Sequence, residues 1–102
     1  MTSKQLNDAS FAAAADIKNI ELIEYKYLFI ADLEADDYLA NTKPINKAIE
    51  LSNLRKKESE DFLGLMDKLS FRKITWGEFN QERLKLSSTY ADKYVKIATS
   101  SP

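Results

Sequence analysis

The chain has 102 residues, of which 44% are hydrophobic and 30% charged, with a net charge of -1 and a pI near 5.5. That length supports one domain with its own core, and the composition is globular rather than disordered. Cysteine and histidine are both absent. Disulfides, thiolate metal sites and thiol nucleophiles are thereby excluded, together with the commonest general base, while the near-neutral charge argues against a basic nucleic-acid footprint.

Gly 2 and Pro 2 are the only strong breakers. A sandwich or barrel needs more turns, so the reading is an all-α chain of a few long helices. The most apolar stretch, residues 22–31, is interrupted by Glu24 and Lys26, and no membrane span is expected. No signal-peptide core is evident. The compartment stays open: a cytoplasmic location is favoured, with a periplasmic one after leader removal as the alternative. Residues 1–102 read as a single helical domain, with 1–9 and 99–102 polar and expected to fray.

The first helix is expected from about Ser10 to Ala40. Ser10 is a suitable N-cap, Ala12 to Ala15 are strong helix formers, and Asn41 to Pro44 form a break. At 100° per residue, Ile17, Ile20, Ile23, Tyr27, Leu28, Ile30, Ala31 and Tyr38 share one broad face. Leu22, Tyr25, Phe29 and Leu33 form a second face, nearly opposite. A helix apolar on two sides is buried on two sides. The expectation is a homo-oligomer through this helix; the alternative is that the other two helices straddle it.

Asp32, Glu34, Asp36 and Asp37 crowd the C-terminal end of this helix, where the helix dipole favours cations instead. The basic run Arg55 to Lys57 is expected a turn or more away. An acidic patch that folding disfavours predicts docking of a basic protein partner. The plainer alternative is a solvated face that keeps the chain soluble. EF-hand spacing is absent, so calcium is not expected.

The second helix is expected from Pro44 to about Leu69, with Ala48, Leu51, Leu54, Phe62, Leu65, Met66 and Leu69 on one stripe. The charged stretch 55–61 leaves its continuity open, and Gly64 costs it ~1 kcal/mol relative to alanine.

The third helix is expected from Trp76 to about Ala98, introduced by Lys73-Ile74-Thr75-Trp76-Gly77-Glu78-Phe79. Thr75 as N-cap and Glu78 at N3 have capping-box spacing, and Ile74 with Phe79 that of a hydrophobic staple. Gly77 is followed by no further glycine and no Gly-Lys-Ser/Thr, so it is not arranged as a phosphate loop. Trp76, Phe79, Leu86, Tyr90 and Ile97 line the apolar side.

Ile74, Thr75, Glu78, Phe79, Arg83 and Leu86 fall in the pattern Ile-Thr-x-x-Glu-Phe-x-x-x-Arg-x-x-Leu. In this pattern residues 62–86 resemble the SHOCT domain, a short C-terminal helical hairpin. Lys73 stands where that family usually has glycine. The resemblance implies a small oligomerising or adaptor hairpin.

Charge interrupts every stripe. Equal rise about a turn near residue 42 brings Glu24, Arg55, Glu58 and Arg83 to similar levels. They are expected to form a mid-bundle polar layer that fixes register and partner choice. Two arginines would keep both carboxylates ionised, which argues against acid–base catalysis there. The alternative is that these groups snorkel to water.

The sequence therefore reads as an antiparallel three-helix bundle without catalytic activity or cofactor. Its expected role is a protein–protein interaction module of adaptor, inhibitor or immunity type. A structural or scaffold subunit of a bacterial-envelope or phage assembly is the alternative, and a carboxylate-based metal binder or enzyme a third reading.

Overall fold

The computed structural model describes residues 2–100. They form four helices and no strand: α1 (Ser3–Leu6), α2 (Ala14–Asn41), α3 (Ile45–Ser70) and α4 (Trp76–Thr99). The chain is all-helical, and its three long helices correspond to the three expected. α3 is continuous through the charged stretch 55–61.

α2 begins at Ala14 rather than Ser10. The Ser10 N–H and hydroxyl both donate to the Asp8 carboxylate, a local turn that competes with helix. Asp16 instead accepts the Ala13 N–H at 2.9 Å and anchors the first turn of α2.

α3 is the middle helix. Ala31 and Ala35 of α2 and Ala48 and Ser52 of α3 are all buried, and their small side chains let the two backbones approach closely. Direction follows from the cross-helix pairs. Arg55 reaches Glu34 while Phe62 packs on Tyr27; Glu58 meets Tyr94 while Asp61 meets Tyr90. α3 thus runs antiparallel to both neighbours. Among the described residues no Cα of α2 comes within 8 Å of a Cα of α4. Those two helices meet through side chains, as where the Tyr38 and Tyr94 rings stack with centroids 6.3 Å apart. The alternative in which the other two helices straddle α2 does not hold: α3 is the helix that pairs closely with both others.

The apolar core lies where α3 ends and α4 begins. Ala12, Ile20, Met66, Leu69 and Phe79 are buried together, flanked by Ile17, Phe62, Ile74 and Trp76. The connection above them is tightly made. The Lys73 N–H donates to the Lys68 carbonyl at 2.8 Å and the Arg72 N–H to the Leu69 carbonyl at 3.1 Å, a Schellman closure of α3. Arg72 takes the left-handed position, with φ 57°, which costs a non-glycine residue about 1 kcal/mol. Its Nε donates to the Ala12 carbonyl at 3.0 Å, an interaction that helps hold it there. Thr75 then opens α4: its Oγ1 accepts the Glu78 N–H at 3.2 Å, and Glu78 Oε1 accepts the Thr75 N–H at 3.1 Å.

Residues 1–9 are expected from sequence to fray, yet the described part of this segment is a strap laid across the start of α4. Trp76 and Gly77, whose N–H groups have no partner inside α4, donate to the Ser10 carbonyl at 2.8 Å and the Asp8 carbonyl at 2.7 Å. Asn80 Nδ2 and Gln81 Nε2 donate to the Gln5 and Leu6 carbonyls at 2.9 and 2.6 Å. The strap explains the glycine. A Cβ at Gly77 would sit 2.6 Å from the Asp8 carbonyl oxygen and 2.7 Å from that of Leu6. Met1, Ser101 and Pro102 lie outside the described residues. No helix among those described is long and apolar enough to cross a membrane.

Candidate protein-docking surface

Because α2 packs its backbone closely against α3 alone and meets α4 only through side chains, its outer side is left without cover. Ile20, Ala31 and Ala35 are buried, Ile20 among Met66 and Leu69 of α3 and Phe79 of α4. The opposite side carries Leu22, Tyr25, Phe29 and Leu33, which are 53%, 77%, 65% and 54% exposed. Two of these are aromatic rings standing mostly in water at successive turns of one stripe. Ile23, Leu28 and Ile30, expected on the buried face, lie instead at its margins and are about half exposed. A single partner helix covers too narrow an arc to reach them.

The acidic end is divided. Asp32, Asp36 and Asp37 are exposed. Glu34 is drawn into a polar cluster at mid-height. Arg55 Nε donates to Glu34 Oε2 at 2.8 Å, and Arg55 Nη1 donates to the Tyr27 hydroxyl at 3.0 Å and to Glu58 Oε1 at 3.1 Å. The same Glu58 oxygen accepts the Tyr94 hydroxyl at 2.9 Å. Burial alone would lower the Arg55 pKa, but its bonds to Tyr27 and Glu34 hold it above the ordinary value. The Tyr94 phenol is pushed up, first by burial and then by its bond to Glu58. Tyr90 is pushed up the same way, with Asp61 as its acceptor. These groups are fixed as donors and acceptors to one another.

The expected polar layer is brought together only in part. Arg55 and Glu58 meet, but Glu24 and Arg83 lie outside the cluster. Glu24 sits beside Asp67, and burial followed by that contact pushes its carboxyl up to about 7. The Arg83 guanidinium lies 5.8 Å from the Phe79 ring centroid and makes no ion pair among the described residues. Arg83 turns to the Phe79 ring and the cleft it shares with Tyr27, whereas Glu24 turns to Asp67, so the two are not brought together. The register of α3 on α2 is also displaced from equal rise. The connection between these helices takes up space, and side chains on both lean toward their own N-termini, so a residue of α2 meets a residue of α3 that lies farther from the turn than itself. That displacement brings Arg55 to Glu34 instead of leaving it a turn away.

Sequence reasoning placed Tyr27 and Tyr90 on apolar faces but missed their hydroxyls, and that of Tyr94, as hydrogen-bond partners of the polar groups. A signal for the last two was present: tyrosines four apart on α4 face acidic residues three apart, Glu58 and Asp61, on α3. The adjoining cleft, lined by Tyr27, Glu58, Phe62, Arg83, Leu86 and Ser87, has a volume of 180 Å³, below the roughly 300–1,000 Å³ of small-molecule sites. No group of three or more acidic side chains among the described residues is arranged to hold a metal ion.

Residues 62–86, where the SHOCT resemblance lies, form the end of α3, its turn and the start of α4. No family model matches the sequence, and no curated protein or solved structure matches it.

Proposed function

We propose that the chain is a non-catalytic interaction module: an antiparallel three-helix bundle that presents the outer side of α2 to another protein chain. The observation that carries this reading is the exposed stripe of Leu22, Tyr25, Phe29 and Leu33, directly opposite the side that α3 buries. Contiguous apolar surface of this kind is costly in water and characteristic of protein contact sites, and aromatic anchors dominate such contacts. Asp36 and Asp37 at the end of the stripe favour a partner that brings positive charge there. The non-catalytic part of the reading is supported by the mid-height carboxylates, which are occupied by Arg55 and tyrosine hydroxyls.

A photo-cross-linking residue placed at Tyr25 tests this in living cells, with the same residue at exposed Glu82 of α4 as control. The expected result is a discrete adduct from position 25, lost when Phe29→Asp is added, and none from position 82. Equal labelling from both positions, or no adduct from position 25, overturns the reading.

A further inference from the structure

We infer that the occupant of the α2 face is α2 of a second copy, running antiparallel and registered so that Lys18 of each copy faces Asp36 of the other. This rests on the reading that the face docks protein, and it names the partner.

The exposed stripe continues beyond its apolar centre. Lys18, Leu22, Tyr25, Phe29, Leu33 and Asp36 recur at spacings of three and four residues, the spacing of a helix–helix seam. Ala15 and Ala40, both exposed, lie on the same side at its two ends. The seam is symmetric in size and antisymmetric in charge about residue 27. Tyr25 and Phe29 lie at equal distances on either side, and so do Lys18 and Asp36.

A surface that carries its own complement in reverse order suits a two-fold dimer. Antiparallel pairing sets Tyr25 against Phe29 twice at the centre and Lys18 against Asp36 once at each end. Parallel pairing would set Lys18 against Lys18 and Asp36 against Asp36. Neither Lys18 nor Asp36 makes an ion pair within the chain among the described residues, and Asp37 beside it accepts from Asn41 Nδ2. These charges are therefore available to a partner. Glu21 and Asp32 come near each other at the rim of such a pair, where water screens their repulsion.

Sedimentation equilibrium of the full chain across the micromolar range, with circular dichroism of each variant, tests the inference. The chain is expected to dimerise, and Phe29→Asp to be monomeric with unchanged helicity. Lys18→Asp and Asp36→Lys, alone, should each weaken the dimer about tenfold or more, since either replaces two attractions with two repulsions. The double variant Lys18→Asp/Asp36→Lys, and an equimolar mixture of the two single variants, should both recover it. Single variants that dimerise like the parent, or a mixture that recovers nothing, overturn the register. A monomeric parent chain overturns the inference altogether. If the position-25 cross-linker then still captures a chain of different mass, the docking reading stands without it; if it captures nothing, both fall.

Discussion

Arg55 of α3 donates through Nε to the Glu34 carboxylate of α2 at 2.8 Å. By sequence Glu34 belongs to the acidic run that ends α2; in space it belongs to the interior pairing of two helices. The Arg55 side chain is only 9% exposed and that of Glu34 is 51% exposed, so the two partners are not energetically equivalent.

Removing Arg55 leaves Glu58 and Tyr27 short of a donor in a largely desolvated place. Arg55→Ala is expected to cost about 2–4 kcal/mol. Glu34→Gln keeps the shape and removes a half-exposed charge, and should cost less than about 1 kcal/mol. Urea titrations of both variants check the asymmetry; equal costs would contradict it.

Gly77→Ala places a methyl group where the Asp8 and Leu6 carbonyl oxygens lie. Backbone oxygens cannot move aside as a flexible side chain can, so the strap must lift. The expected loss is about 1–3 kcal/mol, together with faster amide exchange at Trp76 and at the substituted residue, whose N–H groups the strap covers. In a chain lacking residues 2–10 the same substitution should cost nothing, because the obstruction has gone.

The Glu24 carboxyl, raised by burial and by Asp67 to about 7 from an ordinary 4.5, binds its proton more tightly in the folded chain than in the unfolded one. Its contribution to stability is fully present below pH 4.5 and is lost as the pH rises to about 7. Between about pH 5 and 7.5 the melting temperature of the parent chain should therefore fall by a few degrees more than that of Glu24→Gln. Identical slopes for the two would show that Glu24 is not the group responsible.

Thr75→Ala removes the acceptor for the Glu78 N–H and should cost about 1 kcal/mol. Thr75→Ser, which keeps the hydroxyl, should restore most of it. Differential scanning calorimetry on the three chains resolves a difference of this size.

Long elements with few breakers are legible in the residues themselves: Pro44 and the Thr75–Glu78 box mark real helix starts, and the stripe from Leu22 to Leu33 stands in water. What is not legible depends on three-dimensional adjacency. Ser10 looks like a cap but is taken by Asp8, a competition decided within two residues. The strap of residues 2–10 carries no apolar periodicity because it is held by backbone carbonyls, which sequence does not record. Level alone matches Arg83 to Glu24, and level says nothing about the direction in which each side chain turns, Arg83 to Phe79 and Glu24 to Asp67. Gly77 has a use that no motif describes: it makes room for another stretch of main chain.

The strap also bears on the order of folding. The bonds from Gly77 to Asp8 and from Trp76 to Ser10 join points far apart along the chain, whereas α3 and α4 meet across a turn of a few residues. Closing the long loop carries the larger entropy cost and returns nothing until α2, α3 and α4 are already in place. The strap is thus a late-closing latch. By fastening the chain's beginning to the first turn of its last helix, it secures α2, whose close backbone packing is otherwise with α3 alone.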